Sequence, residues 1–159
     1  MVAMPDSRAA LLGVDFGQRT TGFAIGHRLT ATARPLSPVS HRNVDTLLKQ
    51  IERLLAEWAP AAVVIGLPLA MDGSETDMSR RARDFARRFK RQFPDVDVFL
   101  HDERLTSEAA AQRHAQRRQQ GRGSRRDGQR LDSVAAGLIL ESWMASRPDE
   151  AQIPEGEKH

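Results

Sequence analysis

The sequence predicts an α/β fold, in which a mixed sheet of about five strands carries helices on both faces. Two observations predict it. Three short apolar segments follow one another near the start of the chain with brief turns between them, as in an antiparallel meander. Further on, single apolar strands alternate with helical segments, and residues 61–66 form the continuous apolar run typical of a buried parallel strand.

The predicted strands fall into two groups. The meander consists of Ala9–Asp15, Arg19–Arg28 and Ala31–Leu36. We expect a tight turn at Gly17, because glycine adopts positive φ freely. The later strands are Ala61–Gly66 and Val96–His101. Right-handed crossover connections would place the first strand centrally, beside Ala61–Gly66.

Four helices complete the predicted order of elements, βββαβαβαα. The first has Asn43 as its N-cap, and the second begins at a capping-box-like pair of Ser74 and Asp77. The third follows Thr106 through Gln119, and the last covers Leu131–Ser146. Small residues in the last helix (Ala135, Ala136 and Gly137) would allow its backbone to approach the sheet closely.

Length and composition limit the class of protein. A chain of 159 residues indicates one domain, expected over residues 9–146 between flexible tails at 1–8 and 147–159. There is no cysteine, no apolar run near the ~20 residues of a membrane-spanning helix, and no hydrophobic secretion signal. We therefore expect a cytoplasmic protein. The net charge of +3, with 24 Lys and Arg, favours a polyanionic partner.

Three carboxylates are predicted to lie at one edge of the sheet. Asp15 ends the central strand, Glu103 follows a parallel strand, and Asp132 opens the last helix. Two carboxylates about 4 Å apart repel by on the order of 4 kcal/mol, so protons or a divalent cation must relieve the repulsion. Oxygen ligands without cysteine or a histidine cluster favour Mg²⁺ or Mn²⁺, as one or two ions, over Zn²⁺. Such ions could support phosphodiester cleavage.

Each acid also has a simpler explanation. Asp15 would be a hydrogen-bonded structural acid, Asp132 would complement the N-terminus of its helix without any metal, and Glu103 would pair with Arg104 or a neighbouring arginine. Asp102 is an alternative to Glu103, because adjacent strand residues point to opposite faces. The five histidines are scattered, and His101, although near the acids, is more simply explained as a residue without a chemical role.

Two basic stretches could contact nucleic acid. The segment Arg113–Arg130 combines many arginines with several glycines, a composition suited to contacting phosphates, although a surface loop without a partner is the alternative. The second helix carries a row of arginines and one lysine over residues 80–91. We interpret that row first as a solvated face, with a nucleic-acid-facing surface as the less favoured reading.

Four motifs, taken in order, resemble the YqgF/RuvX family. They are Gly13–Gly17 with Gly22–Ala24, Gly66–Leu69 with Met71–Glu75, Asp102–Thr106, and Asp132–Ala136. The resemblance covers about residues 10 to 145. The occurrence of all four motifs in this order is highly specific, although each motif alone is a weak signal. Members of the family are described as pre-16S rRNA nucleases or Holliday-junction-resolvase-like proteins.

This resemblance implies a ribonuclease H-like fold and Mg²⁺- or Mn²⁺-dependent phosphodiester hydrolysis in maturing the 5′ end of small-subunit ribosomal RNA. Asp15, Glu103 and Asp132 match the family's acidic positions and are the expected catalytic and metal-binding residues. Nucleic-acid contacts are expected from Arg19, Arg104, Arg117, Arg118, Arg122, Arg125 and Arg126. Gln18 and Ser133 depart from the residues common in the family, which bears more on substrate contacts than on the acids.

Two other functions share parts of this pattern. A Holliday junction resolvase would use the same acids on branched DNA, and would need a two-fold dimer to hold a symmetrical junction. A non-catalytic nucleic-acid-binding factor in ribosome assembly or transcription would need the basic segment and not the acids. The sequence leaves open whether the protein is a monomer or a homodimer and whether ribosomal particles are partners.

Overall fold

The protein is described by a computed structural model over residues 10–106 and 131–146. Its strands are β1 (Ala10–Asp15), β2 (Thr20–His27), β3 (Thr32–Pro35), β4 (Val39–Ser40), β5 (Ala62–Leu67) and β6 (Asp97–Asp102). Its helices are α1 (Val44–Trp58), α2 (Asp77–Gln92) and α3 (Leu131–Ala145), and Glu103–Leu105 form a single 3₁₀ turn. The expected tails, the helix predicted after Thr106 and the basic segment Arg113–Arg130 lie outside the described residues.

One mixed sheet organises the fold, with strand order β3-β2-β1-β5-β6. The central strand β1 pairs antiparallel with β2 on one side and parallel with β5 on the other, as the sequence predicts. Strand β6 continues the sheet parallel to β5. The two-residue strand β4, which pairs with the start of β2, was not predicted, because so short a strand has no periodic signal.

The helices cover both faces of the sheet. Alternate residues of β1 point to opposite faces, so Leu12 and Val14 pack in one core with α1 and α2, while Leu11 packs in a second core with α3. The run predicted to be a buried parallel strand is β5, which is buried along its whole length. No helix in the described part of the chain is long and apolar enough to cross a membrane.

Helix α3 lies unusually close to the sheet. A Cβ atom on Gly13 would be only 2.7 Å from the carbonyl oxygen of Ala136, and one on Gly26 would be 2.9 Å from Leu140 Cδ2. The Ser133 hydroxyl accepts a hydrogen bond of 3.1 Å from the Phe23 amide, near the end of β1. Helix α3 therefore runs antiparallel to β1, and its first turn lies at the carboxyl end of that strand.

Of the helix N-termini predicted for α1 and α2, the first is confirmed and the second is wrong. Asn43 caps α1, because its side-chain oxygen accepts a hydrogen bond of 2.9 Å from the Thr46 amide. The capping box predicted at Ser74 and Asp77 was wrong, since Thr76 and Ser79 form it instead. Ser74 is already engaged: both its amide and its hydroxyl donate to the Asp72 carboxylate.

The arginine-rich face of α2 pairs with neighbouring acids. Arg80 pairs with Asp77, Arg83 with Glu75, Arg87 with Asp84, and Arg88 with Asp45 of α1. These side chains are exposed, so each pair contributes roughly 0–1 kcal/mol to stability. Local acids thus offset much of the positive charge on this face. This favours a solvated face over a nucleic-acid-facing surface.

Candidate active site

The first acid lies where β1 ends. Asp15 is half-buried there, and the chain reverses immediately into β2. Gly17 makes the turn possible, because a Cβ at this position would collide with the carbonyl oxygen of Thr20. The expected reason for this glycine was wrong: its φ is not positive, and close approach of the backbone is what requires it.

The second acid lies near Asp15, although it follows a different strand of the sheet. Glu103 opens the 3₁₀ turn that follows β6, and its carboxyl group lies over Gly66 of β5. A Cβ on Gly66 would be 2.5 Å from Glu103 Oε1. The carboxyl group also shares a hydrogen bond with Asp15. Two acids that are 88 residues apart (103 − 15) in the sequence therefore form a pair at one edge of the sheet.

This pair is electrostatically unfavourable when both acids are ionised. Burial raises the pKa of Glu103 above its ordinary value, and the nearby charge of Asp102 raises that pKa further, while the hydrogen bond with Asp15 acts in the opposite direction. A hydrogen bond between two carboxyl groups needs a proton on one of them. The pair is therefore suited to exchange a proton for a cation.

Asp102, the sequence alternative to Glu103, faces a different partner. Its carboxylate binds the Arg104 guanidinium with distances of 2.7 to 3.1 Å and accepts the Arg104 amide at 2.9 Å. Hydrogen bonds from Arg104 hold the pKa of Asp102 below its ordinary value. Glu103, and not Asp102, is thus the acid that reaches Asp15.

For the third predicted acid, Asp132, the structure describes only the backbone position. Asp132 belongs to the first turn of α3, which lies at the carboxyl end of β1, and its side chain is outside the described residues. Over residues 10–106 and 131–146, no three acidic or histidine side chains form a group that could hold a metal ion. The described part of the site is therefore the pair of Asp15 and Glu103.

The other predicted site residues are more scattered. Arg19 is exposed in the turn that follows Asp15. Arg117, Arg118, Arg122, Arg125 and Arg126 lie outside the described residues. His101 is fully buried, and its Nε2 lies 2.9 Å from the Ser142 hydroxyl, so it joins β6 to α3.

The donor set of the acid pair fits a hard divalent cation. Both side chains supply only carboxylate oxygen, which Mg²⁺ and Mn²⁺ prefer and which suits Zn²⁺ less well than thiolate or imidazole. The missing side chain at Gly66 leaves room for the Glu103 carboxyl group beside Asp15. Asp15 and Glu103 would hold the ion, with Asp132 as the third expected ligand.

Gly66 lies in one of the four family motifs, but sequence reasoning did not predict that it makes room for Glu103. It interrupts an otherwise apolar strand, and a glycine inside a strand often marks a close approach of another group. That signal was available, but it does not say which group approaches. The partner, Glu103, comes from a different strand 37 residues later (103 − 66).

Gly66→Ala is expected to lower cleavage at least about tenfold while changing stability little. The new methyl group would lie 2.5 Å from both Glu103 Oε1 and Ile139 Cδ1, which are ends of flexible side chains and can move. Relief of the contact displaces the carboxyl group from Asp15. Cleavage rate and melting temperature, measured on the same sample, check this expectation.

Gly26→Ala is the matched control. Its Cβ would lie 2.8 Å from the backbone oxygen of Thr32, far along the sheet from Asp15, and backbone cannot move as easily as a side chain. This variant is expected to lose stability and to keep its activity while folded. Full activity in Gly66→Ala would show that the space above Gly66 does not set the position of Glu103.

The fold and the acid pair define a class of protein. A mixed sheet with β1 at its centre and two carboxylates at its edge is the arrangement of a nuclease with a ribonuclease H-like fold. The family model described as "RuvX: Holliday junction resolvase" matches residues 9–146. The chain belongs to this family, and it is a nuclease, a hydrolase of phosphodiester bonds that binds nucleic acid.

Two relatives agree with this assignment. A protein of Pseudomonas aeruginosa named as a candidate pre-16S rRNA nuclease is 45% identical over 142 residues, covering 87% of this chain and 94% of the relative. A Pseudomonas putida protein with the same name is 45% identical over 135 residues, covering 84% and 93%.

Two solved structures share the fold. Thermus thermophilus RuvC in complex with a Holliday junction has a TM-score of 0.56 and 16% identity, covering 84% of this chain and 91% of that one. The fowlpox virus resolvase in complex with Holliday junction DNA has a TM-score of 0.51 and 14% identity, covering 86% and 99%. At these identities the likeness concerns the fold alone.

Proposed function

We propose that this chain is a divalent-metal-dependent nuclease that matures the 5′ end of 16S ribosomal RNA by cutting its precursor. The observation that carries the chemistry is the hydrogen-bonded pair of Asp15 and Glu103 over Gly66. The names of the relatives from Pseudomonas support the choice of RNA. We accordingly propose a cytoplasmic location, with precursor RNA or the assembling ribosomal particle as the partner.

The three acids would bind the metal ion. Asp15 and Glu103 would hold Mg²⁺ or Mn²⁺ at the sheet edge, and Asp132, in the first turn of α3, would add a third carboxylate. When bound, the ion supplies a Lewis acid that activates water and stabilises the leaving oxygen. Burial of Glu103 strengthens its attraction to a cation, because the local dielectric is lower than that of water.

The basic residues would hold the substrate near these acids. Arg19 is exposed in the turn directly after Asp15, where its charge can neutralise a phosphate beside the scissile one. We propose the same role for Arg117, Arg118, Arg122, Arg125 and Arg126, from the composition of their segment. Contacts of this kind make binding steeply dependent on salt.

A side-by-side cleavage assay tests the proposal. The full chain is incubated with a precursor 16S rRNA fragment and with a four-way DNA junction, each with Mn²⁺ and with chelator. Metal-dependent cutting of the RNA at the 5′ side of the mature sequence is the expected result. Cutting of the junction without cutting of the RNA would contradict the proposal.

A resolvase is the second candidate, favoured by the description of the matching family. It requires two active sites related by a two-fold axis. The oligomeric state, measured by light scattering under the assay conditions, therefore separates the two candidates further. A strict monomer that cuts RNA supports the processing nuclease, and a dimer that resolves junctions symmetrically supports the resolvase.

A further inference from the structure

A compact loop begins where β5 passes beneath the acid pair. Residues 68–76, here the β5–α2 loop, join β5 to α2. The loop is folded on itself: the Ala70 amide donates to the Ser74 carbonyl at 3.0 Å, and the Gly73 amide to the Ala70 carbonyl at 2.8 Å. Its tip, Met71, is 96% exposed. These backbone bonds give the loop a defined shape, and contacts of Pro68 with Ser79 and of Glu75 with Arg83 tie its two ends to α2, away from the tip at Met71.

Arg104 fixes the loop from outside. Its Nη1 donates to the carbonyl oxygen of Met71 at 3.3 Å. Gly73 lies against the same guanidinium group, since a Cβ there would be 3.3 to 3.6 Å from Nη1, Nη2 and Cζ. Gly73 also has φ of +90°, which other residues rarely adopt. The tip of the loop is therefore shaped to receive the guanidinium group.

The other edge of the same guanidinium binds the turn that carries Glu103. Nε and Nη2 of Arg104 donate to the Asp102 carboxylate, and the Asp102 carboxylate also caps the 3₁₀ turn by accepting the Arg104 amide. Glu103 lies between these two residues in the chain. A single guanidinium group thus connects the turn that carries a predicted catalytic acid with the neighbouring loop, through an ion pair with Asp102 and a hydrogen bond to Met71.

Global stability does not explain this arrangement. The side chains of Arg104 and Asp102 are 40% and 20% exposed, and ion pairs with an exposed partner contribute little to stability. Arg104 instead fixes the position of the loop relative to the turn, because a planar guanidinium can bind a carboxylate and a carbonyl oxygen in fixed directions at once.

We propose that Arg104 is a positioning residue that holds the β5–α2 loop against the turn bearing Glu103. Asp102 is its anchor. The guanidinium group is then bound within the protein, where it fixes the loop relative to the turn that carries Glu103. The expected effect on cleavage rests on the proposed nuclease function, whereas the expected effect on the order of the loop does not.

Hydrogen exchange tests the structural part. In Arg104→Gln, the amides of Ala70 and Gly73 are expected to exchange at least about tenfold faster, with the melting temperature nearly unchanged. Arg87→Gln is the control, because Arg87 forms an exposed pair with Asp84 at 2.8 Å on α2. Unchanged exchange in Arg104→Gln would overturn the proposal, whether or not the wild type cuts RNA.

Arg104→Lys separates positioning from phosphate binding. Lysine keeps the charge and binds phosphate well, but it cannot span Asp102 and the Met71 carbonyl as a planar fork does. We expect Arg104→Lys to share the fast exchange of Arg104→Gln and to lose at least about tenfold in kcat/KM. Full rescue by lysine would show that charge alone matters and would overturn the proposal.

A double-mutant cycle supplies the last readout. If Arg104 acts through Asp102, then Asp102→Asn and Arg104→Gln together should speed exchange of the Ala70 and Gly73 amides by no more than the larger single effect, a readout that does not depend on cleavage. Effects that multiply would mean that the two residues act independently, which contradicts the proposal.

Discussion

Asp15→Asn is expected to lower the cleavage rate by at least about 10³-fold, a loss of roughly 4 kcal/mol of transition-state stabilisation. Asparagine has nearly the same volume and can still hydrogen-bond to Glu103, so the end of β1 should keep its shape. It lacks the negative charge that attracts a divalent cation. The loss should therefore appear in single-turnover rates with saturating Mn²⁺, at a melting temperature in chelator no lower than that of the wild type.

The exposed residue Asp95 provides the matched control, since Asp95→Asn removes the same charge from the turn before β6. It should cut RNA at the wild-type rate. Cleavage by Asp15→Asn within about tenfold of the wild type would contradict the assignment of the acid pair as the reaction centre.

Glu103→Gln is expected to abolish cleavage and, in the absence of metal, to stabilise the fold. Burial raises the folded-state pKa of Glu103, so ionising this acid costs more in the folded than in the unfolded protein. That cost is absent below the ordinary pKa of glutamic acid and reaches its full value above the folded pKa. Glutamine removes it. After allowance for solvent screening, we expect a gain on the order of 1 kcal/mol at neutral pH, about 2–4 °C in melting temperature.

The pH dependence distinguishes this cause from general packing. In chelator, the difference in melting temperature between Glu103→Gln and the wild type should be largest near pH 7.5 and should shrink towards pH 4. Added Mn²⁺ should stabilise the wild type more than the variant, because binding to the folded state raises its stability. Glu52→Gln, an exposed position on α1, is the control and should show neither effect. A variant less stable than the wild type at pH 7.5 in chelator would contradict the expectation.

The order of strands and helices could be predicted because each element has its own local pattern. The apolar run that became β5 and the helical stripe after Asn43 needed no knowledge of distant residues. The central place of β1 followed from the rule for right-handed crossovers. By contrast, the start of α2 was misjudged, because Ser74 had two available hydrogen-bonding partners and the sequence does not say that Asp72 is the one it binds.

The choice between neighbouring acids could not be made from the sequence. Strand alternation shows that Asp102 and Glu103 point different ways, but not which of them faces Asp15. In the structure, Arg104 binds Asp102, and Gly66 leaves space for the Glu103 carboxyl group. Glu103 is therefore the acid that faces Asp15. Both influences come from through-space contacts, one across a turn and the other across two strands.

The sequence by itself therefore determined the class of fold, the approximate sheet edge at which Asp15 and Glu103 meet, and the family. Periodicity, strand order and short motifs are properties of residues close together in the chain, and these can be read locally. The tertiary structure alone decided that Glu103 pairs with Asp15, that Gly66 makes room for it, and that Arg104 ties the β5–α2 loop to the turn beside it. Such contacts depend on distances between strands and loops, which are fixed only when the sheet has formed.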